Sequence, residues 1–475
     1  MTTQTFKKLK MLIEDTKEEF QKILKIQHLD VNLAKSTLMQ ECELTSVSNN
    51  YNKFLYDYDY MIFPTLDYKL DDYVIAAAKM CLVVNTNNRP CAGNLYLNAK
   101  YISFNSQNFE LYYKHVLFHE LTHALIFHPI ILDNLRMLKV KNKYTLLVNS
   151  PKVLQKARAH FGCLNLEGLP LENQGGEGTF GFHWEERYML GDYMISRDFM
   201  DNVISDITLA LFEDSGFYQV NYYTGGLFKF GKNKGCNFFD KDCIENGKIL
   251  FDEFCSTFNE TACTQSKTSK GICNLFDYSI YGDGYVPDYF SYFDNPNYGG
   301  YYTTDFCPVY DESFYENLTN LYYTTSCSVG SSTLPSEYGE KIGSNSFCFM
   351  SSLLPSSSNY VIESKPICYE IECDKNNKKI NVHIGNSVVN CPTNDGIINS
   401  SGFKAEIKCQ KYEDLCGWNE NVLCNEMFDC IDILYELNKK NEITQDSIWE
   451  DNDNYDYIKI NLFTFIIINF IYILN

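Results

Sequence analysis

The chain has 475 residues, a formal net charge of −21 and 19 cysteines. This length is too great for a single hydrophobic core and suggests about three domains. The acidic balance, without a basic run or a glycine-rich phosphate loop, argues against a nucleic-acid partner.

The first predicted element is a surface helix over residues 6–27, where apolar residues recur among Lys and Glu at helical spacing. It belongs either to a pro-segment or to an ordinary packed helix. The N-terminus has no uninterrupted apolar stretch, so it carries no recognisable signal peptide. Since 19 cysteines cannot all pair, one is left over. Cys42 is the candidate for this unpaired cysteine. One role for its thiolate would be to bind a catalytic metal and block it until the protein is activated.

Residues 51–102 predict strands, because short aromatic and β-branched runs alternate with turn residues. The runs are Tyr60–Phe63, Leu82–Val84 and Leu95–Leu97. Cys81 and Cys91 lie ten residues apart in this region and are candidates for a disulfide.

A metal-binding helix is predicted within the apolar run Tyr112–Ile131. His119 and His123 are four residues apart and project from one face of a helix, close enough to share one metal ion. Glu120 between them is placed to handle a water that the metal activates. The alternative is a buried helix with two hydrogen-bonded core histidines. Pro129 is expected to end the helix.

After Pro129, a helical stretch rich in Leu, Val and Lys is predicted to run to about Ala159, with an interruption near Pro151. A glycine-rich segment follows and ends at Gly181-Phe182-His183-Trp184-Glu185. Glycine at this density lets the backbone turn abruptly and pass close to other groups. The segment therefore suits the wall of an active site.

A catalytic zinc needs a third protein ligand and an open position for water. In the compact spacing H-E-x-x-H-x-x-G-x-x-H, the third histidine is six residues after the second, and here that position is Pro129. His128 is one residue out of register, and His115 precedes the pair on the same helix face, so both favour structural roles. His160 and His183 remain as candidates.

The segment Gly178-Thr179-Phe180-Gly181-Phe182-His183-Trp184-Glu185 resembles the leishmanolysin family of metzincin zinc metallopeptidases. In that family a long insertion precedes the third histidine, which stands in a G-x-x-G-x-H-W-E context. The resemblance implies that His183 is the third ligand and His160 is structural. It also implies that Met194 supplies the Met-turn beneath the zinc, with Met189 as the weaker candidate.

Further blocks extend the resemblance over about residues 50–430. They are Arg89–Gly93, Lys270–Cys273, Tyr289–Cys307, Phe347–Leu353 and Cys368–Cys409. One departure is Ile126, which stands where the family usually carries glycine at the end of the zinc helix. Because isoleucine resists positive φ, we expect the helix to continue by one turn to Pro129.

The resemblance implies a metalloendopeptidase in which His119, His123 and His183 hold one catalytic Zn²⁺. Glu120 would act as general base toward protein or peptide substrates, and Tyr193 is a candidate donor to the oxyanion. One alternative is a surface adhesion protein that binds without cleaving. Another is an intact site held inactive by the N-terminal segment.

Fifteen cysteines lie between Cys236 and Cys430, where short β-type runs alternate with turn residues. No C-x-x-C pair occurs, so disulfides are favoured over metal binding. They indicate an oxidising compartment and hence a secreted or cell-surface protein. Three sequons, at Asn259, Asn317 and Asn399, suit the same location.

The C-terminal end consists of a polar, acidic linker over residues 435–457 and an apolar stretch over residues 460–474. This stretch is short for a membrane-spanning helix, although its length suits the removable tail of a glycolipid-anchor signal. Membrane association by either route is expected, with a poorly ordered apolar end as the alternative.

The predicted fold class is α+β. A metzincin-type catalytic region, with a twisted sheet and the zinc helix, precedes a mostly β, disulfide-rich C-terminal domain. The predicted segments are an N-terminal helix or pro-segment (1–50), the N-terminal catalytic subdomain (51–130), a central subdomain with the third ligand and Met-turn (131–235), the cysteine-rich domain (236–434), and the linker and tail (435–475).

Overall fold

The structure is a computed structural model. It describes residues 3–28, 35–44, 58–67, 70–71, 74–84, 88–102, 107–128, 131–132, 135–140, 143–197, 201–225, 228–282, 284–312, 325–330, 332, 334, 338–352, 364–391, 397–399, 406–416, 423–439, 456–462 and 466–467. The α-helices of these residues are α1 Thr3–Ile23, α2 Lys35–Glu41, α3 Gln107–Leu125, α4 Pro151–Phe161, α5 Glu186–Met189, α6 Asp206–Asp214, α7 Asn237–Asp240, α8 Tyr412–Leu415 and α9 Met427–Lys439.

The strands fall into two groups along the chain. Those of the first half are β1 Leu24–Ile26, β2 Tyr60–Asp67, β3 Ala76–Val83, β4 Pro90–Asn98, β5 Leu135–Val140, β6 Lys143–Val148, β7 Leu169–Pro170 and β8 Tyr218–Val220. Those of the second half are β9 Ile244–Glu245, β10 Lys248–Ile249, β11 Thr261–Cys263, β12 Lys270–Cys273, β13 Phe276–Asp277, β14 Tyr298–Gly299, β15 Tyr310–Asp311, β16 Ser346–Ser351, β17 Lys365–Asp374, β18 Lys379–Ile384, β19 Ser387–Cys391, β20 Ile397–Asn399, β21 Glu406–Lys408, β22 Asp456–Tyr457, β23 Ile460–Leu462 and β24 Ile466–Ile467.

A mixed sheet supports the predicted metal-binding helix α3. Strand β4 pairs in parallel with β2 and antiparallel with β3, which confirms the strands expected over residues 51–102. The Tyr60 hydroxyl on β2 donates to the Ala124 carbonyl of α3 over 2.8 Å. At Gly93 on β4, an added Cβ would lie 2.4 Å from the Tyr60 hydroxyl and 3.2 Å from the Ala124 Cβ. The glycine therefore allows α3 to approach the sheet closely.

Helix α1 confirms the predicted N-terminal helix, although it ends at Ile23 and Leu24–Ile26 form strand β1 instead of continuing it; its apolar face lies in the main core. The Phe20 ring stacks on the Phe118 ring of α3 at 4.4 Å between centroids. Lys114 of α3 binds Glu19 over 2.6 Å, with both side chains largely buried. Helix α1 thus packs as a structural support of α3, and its assignment to a pro-segment stays a prediction.

Helix α3 ends at Leu125, so the predicted extra turn to Pro129 is wrong. The amides of Ile126 and Phe127 both donate to the Thr122 carbonyl, over 2.9 and 3.0 Å, and the chain then leaves the helix. This exit does not require glycine, because Ile126 is not among the described residues with positive φ. Its side chain is 1% exposed and lies in the core.

The helix predicted between Pro129 and Ala159 is only half correct. Strands β5 and β6 pair antiparallel instead, in register from Leu135–Val148 to Val140–Lys143. The β-branched residues Val140, Thr145 and Val148 favour this extended conformation. Helix α4 begins where the interruption was expected, with Pro151 in its first turn, where a proline lacks no needed hydrogen bond.

The second half confirms the predicted mostly β, disulfide-rich region. Its largest sheet is antiparallel, with strand order β19-β18-β17-β16-β21-β20. Residues of this sheet and of helix α8 form a separate apolar core. A three-stranded sheet β11-β12-β15 lies before it in the chain. Helix α9 then returns to the main core through Met427, Phe428 and Ile431. The predicted boundaries between the five segments stay predictions.

All but one of the cysteines form disulfides, and two predictions about them are wrong. The pairs are Cys42–Cys81, Cys163–Cys236, Cys243–Cys307, Cys255–Cys273, Cys263–Cys348, Cys327–Cys368, Cys373–Cys416, Cys391–Cys409 and Cys424–Cys430. Cys42 is therefore neither the unpaired cysteine nor a thiolate available to a metal, and Cys81 does not pair with Cys91. The free thiol is Cys91, whose burial raises its pKa to about 12.

The C-terminal stretch lies partly outside the described residues. Helix α9 extends to Lys439, and residues 440–455 of the predicted linker are not described. Strand β22 pairs with β1, while β23 and β24 pair in parallel with β2. Among the described residues, no helix is both long and apolar enough to cross a membrane.

Candidate metal centre

Three histidine side chains converge at one point. His119 and His123 lie one turn apart on α3, and their Nε2 atoms are 3.0 Å apart. The Nε2 atom of His183 lies 3.2 Å from that of His119 and 3.1 Å from that of His123. No other group of three His, Cys, Asp or Glu side chains among the described residues brings its ligand atoms this close together.

The outer nitrogen of each ring faces a backbone carbonyl. His119 Nδ1 is 2.7 Å from the Tyr193 oxygen, His123 Nδ1 is 3.0 Å from the Phe127 oxygen, and His183 Nδ1 is 3.3 Å from the Thr179 oxygen. A carbonyl only accepts hydrogen bonds, so each Nδ1 carries the proton and each Nε2 presents a lone pair. Three lone pairs that point at one another repel unless a cation lies between them.

The Nε2 spacing suits a tetrahedral zinc site. Zn–N bonds of about 2.0–2.1 Å at tetrahedral angles separate neighbouring nitrogens by roughly 3.3 Å. Burial lowers the pKa of His183 to about 3, and the charge of His119 adds to this effect. Burial also lowers the pKa of His123 well below its ordinary value, and the neighbouring His119 and His183 add smaller contributions in the same direction. Neutral imidazoles are the form that binds a metal.

The third histidine is positioned by a short two-stranded ribbon. Leu171 and Trp184 form an antiparallel bridge, and the Glu172 amide donates to the His183 carbonyl over 2.9 Å. The Gly181 amide donates to the Glu172 carbonyl over 2.8 Å. Gly181 has φ of 76°, which a residue with a side chain rarely adopts, so the glycine allows the chain to turn into His183.

A buried hydrogen-bond network joins this ribbon to the predicted Met-turn. The Trp184 amide donates to the Met194 carbonyl over 2.9 Å, and the Met194 amide donates to Asp192 Oδ1 over 2.8 Å. Asp192 Oδ2 accepts from the Thr208 hydroxyl, and that hydroxyl accepts from the Trp184 indole, each over 2.8 Å. Met194 is fully buried directly after Tyr193, whose carbonyl holds His119.

Sequence reasoning did not identify Asp192 or Thr208 as supports of the site. The order Asp192-Tyr193-Met194 could have predicted the turn, because an aspartate side chain often accepts a hydrogen bond from the amide two residues later. Burial raises the pKa of Asp192 to about 6, against the hydrogen bonds from its partners. Thr208 lies in α6 and carried no comparable local signal.

The remaining predicted residues are placed as follows. Glu120 is half-buried on α3, directly after His119. The Tyr193 hydroxyl lies 3.0 Å from Thr122 Oγ1 and the side chain is 3% exposed, so it does not face an open substrate position. These contacts do not support the suggested oxyanion role of Tyr193, which stays a prediction. Met189 is buried in α5.

The other candidate histidines have partners outside the cluster. His115 Nε2 lies 3.0 Å from Glu426 Oε1. His160 Nε2 donates to the Phe230 carbonyl over 2.8 Å, which is a structural role. The His128 ring contacts Phe182 edge-on at 5.2 Å between centroids.

Comparison with known proteins gives a consistent result. The family model described as leishmanolysin matches residues 10–422. A leishmanolysin-like peptidase of Caenorhabditis elegans is 34% identical over 42% of this chain and 34% of its own length. A leishmanolysin homolog of Crithidia fasciculata is 30% identical over 50% of this chain and 36% of its own length. Leishmanolysin of Leishmania chagasi is 27% identical over 74% of this chain and 58% of its own length.

The chain thus spans between about a third and three-fifths of the length of these relatives. The family model nevertheless covers most of the chain, including the three-histidine cluster, the ribbon and the Met194 turn. The chain belongs to the leishmanolysin family.

Proposed function

We propose that the chain is a zinc-dependent metalloendopeptidase that hydrolyses peptide bonds in proteins or peptides. The observation that carries the proposal is the convergence of three Nε2 lone pairs within 3.0–3.2 Å of one another. The carbonyls on the Nδ1 atoms fix this tautomer in advance. Without a cation this arrangement costs free energy, so it does not stabilise the fold by itself. It therefore favours a role in metal binding.

His119, His123 and His183 would hold one Zn²⁺ through Nε2. Three nitrogen ligands leave a fourth position open, which distinguishes a catalytic zinc site from a structural one. When bound, zinc supplies Lewis-acid activation of the attacking water and of the scissile carbonyl. The carbonyls of Tyr193, Phe127 and Thr179 would keep the three rings oriented toward the ion.

Glu120 is the residue proposed to move protons. Its carboxylate accepts a proton from the attacking water as the peptide carbonyl is attacked, and it then delivers that proton to the leaving amine. Its half-buried position directly after the ligand His119 supports this role. Met194 contributes no proton and supports the ligand frame from the protein interior.

Replacement of Glu120 by Gln tests the proposal. The variant should keep wild-type zinc content and thermal stability but lose casein hydrolysis by at least about 100-fold, the usual contribution of a general base. A chelator should abolish the wild-type activity, and added zinc should restore it. The matched control is Glu110→Gln on the same helix, which should keep full activity. Unchanged proteolysis by the zinc-loaded Glu120→Gln variant would contradict the mechanism.

Ile126 is the one sequence feature that favours the alternative of a non-catalytic binding protein, and α3 ends at Leu125 with that residue in place. We also propose an extracytosolic location, which nine disulfides support. Residues 460–462 and 466–467 pair with β2 in the sheet, so attachment to a cell surface is a further proposal only for the apolar residues 468–474 that follow them. A role in cell adhesion rests on the family resemblance alone. Release of the protein from cells by a lipid-anchor-specific phospholipase tests the attachment.

A further inference from the structure

Two glutamates of the His183 ribbon are buried with unpaired oxygens. Glu172 is 1% exposed and Glu185 is 0% exposed. Glu172 Oε1 accepts from the Gln174 amide over 2.9 Å, and Glu185 Oε2 accepts from Asn173 Nδ2 over 2.5 Å. The second oxygens, Glu172 Oε2 and Glu185 Oε1, have no hydrogen-bond partner. Unpaired buried carboxylate oxygens are costly, so a ligand for them is expected.

The ribbon places both carboxylates on the same side. Leu171 pairs with Trp184, the Glu172 amide donates to the His183 carbonyl, and the Glu185 amide donates to the Pro170 carbonyl. Side chains alternate between the two faces of such a ribbon, so Glu172 and Glu185 share the face opposite to that of Leu171 and Trp184. They are diagonal neighbours, whose Cα atoms are typically about 7–8 Å apart.

Arg187 and Arg197 lie near the ribbon and form no ion pair with these glutamates, although Arg187 Nη1 is buried without a hydrogen-bond partner. The Arg187 guanidinium lies 4.3 Å from the centre of the Phe254 ring, and its Nη2 donates to the Lys241 carbonyl over 3.4 Å. Arg197 pairs with Glu186 and with Asp311. In the described part of the chain, neither Glu172 nor Glu185 forms an ion pair.

Electrostatics show the same lack of compensation. A third carboxylate, that of Asp305, lines the same cavity as Asn173. Asp305 is itself 8% exposed and accepts from Gln174 Nε2 over 3.0 Å. Like charges buried this close require shared protons or a bound cation.

A cavity beside Asn173 provides further oxygen atoms, although neither Glu172 nor Glu185 itself lines it. It has a volume of about 460 Å³, and its lining includes Asn173, Asp305 and Thr145. Asn173 Oδ1 and Thr145 Oγ1 have no hydrogen-bond partner, and Thr145 is 2% exposed. Glu167 and Asp240 lie at its exposed rim, and no Lys or Arg lines it. Carboxylate, amide and water oxygens are the ligands that Ca²⁺ prefers.

We propose that Glu172, Glu185 and Asn173 form a second metal site, separate from the three histidines, that binds one Ca²⁺ with water from the cavity. The ion would join the two strands of the ribbon beside His183, because Glu172 bonds to that residue and Glu185 follows it by two positions. The site would stabilise the segment that supplies the third histidine. It does not depend on peptidase activity.

Terbium luminescence on the zinc-loaded full chain tests the site directly. Tb³⁺ replaces Ca²⁺ at oxygen sites and is excited through nearby aromatic rings, which Trp184 and Tyr188 supply. The expected result is saturable emission at one Tb³⁺ per chain, displaced by Ca²⁺ but not by equal Mg²⁺. The double variant Glu172→Gln/Glu185→Gln should weaken Tb³⁺ binding at least tenfold. The control Glu167→Gln, at the cavity rim, should bind as the wild type does.

A thermal-shift measurement gives a second readout. At free Ca²⁺ about 100-fold above Kd, the melting temperature should rise by about 3 °C or more in the wild type and not in the double variant. The proposal is overturned if Tb³⁺ gives no saturable emission, or if acidification raises the melting temperature while Ca²⁺ does not. That second result would mean that the glutamates share protons. If the variant does not fold, one Ca²⁺ per wild-type chain, measured by elemental analysis, supports the site, and none overturns it.

Discussion

The network of Trp184, Thr208 and Asp192 makes the most specific structural prediction. Replacing Thr208 by Val keeps the shape of the side chain but removes the hydroxyl. The Trp184 indole then lacks its acceptor, and Asp192 Oδ2 loses its donor. Both groups are fully buried. Each orphaned group costs about 1–3 kcal/mol, so we expect a loss of about 2–4 kcal/mol in the free energy of unfolding.

Replacing Asp192 by Ala should cost a similar or larger amount, about 3–5 kcal/mol. It leaves two buried donors unpaired, the Met194 amide and the Thr208 hydroxyl, and it removes side-chain volume. Because both substitutions break the same Thr208–Asp192 hydrogen bond, the double variant should lose about 1–2 kcal/mol less than the sum of the single losses.

Urea unfolding of the zinc-loaded variants, followed by tryptophan fluorescence, measures these values. Zinc content measured in parallel shows whether the ribbon still presents His183, and Thr208→Val should lower zinc retention during dialysis. Thr257→Val, at an exposed position, is the matched control and should change stability by less than about 0.5 kcal/mol. Losses below that value for Thr208→Val, or strictly additive losses in the double variant, would refute the proposed support of the site.

Three further predictions concern the rest of the chain. Ile126→Gly introduces the residue that is usual in the family. It should lower the free energy of unfolding, measured by urea titration, by about 3–5 kcal/mol because a buried side chain is lost. An unchanged stability would contradict the way the chain leaves α3 at Ile126. Thiol titration without reductant should find one thiol per denatured chain, Cys91, and none in the native chain; a reactive native thiol would contradict the disulfide pattern. Burial opposes ionisation of Glu426, but His115 holds its pKa below 4.5. Glu426→Gln should therefore lower the free energy of unfolding by about 1–3 kcal/mol at pH 7, because the charged acceptor of the His115 hydrogen bond is lost, and the difference should shrink as pH falls through the lowered pKa of Glu426; a difference independent of pH would be inconsistent with the pair.

The metal-binding helix was predictable because its signals are local. His119 and His123 share a helix face by spacing alone, and the apolar run around them indicated burial. His183 was different, because several histidines remained as candidates and spacing did not choose among them. Only the family resemblance selected His183, and the structure brings that residue to the other two.

The errors arose where the outcome depends on distant partners. Cys42 is paired because Cys81 lies opposite it, and no spacing rule predicts which cysteines meet. Residues 135–148 alternate too weakly to separate a strand from a helix, and the pairing of β5 with β6 decides the result. The chain leaves α3 at Ile126 without positive φ because the amides of Ile126 and Phe127 both reach the Thr122 carbonyl. Glu172 and Glu185 are acidic residues in a polar segment, and only the folded ribbon shows that they are buried.

The central claim is that His119, His123 and His183 together hold one zinc ion. Elemental analysis of the purified protein after dialysis measures this most directly. We predict one zinc per chain in the wild type and in His160→Ala, and less than about 0.1 in His183→Ala, with each variant shown to be folded by circular dichroism. Full zinc occupancy in folded His183→Ala, or loss of zinc in folded His160→Ala, would contradict the assignment of the third ligand.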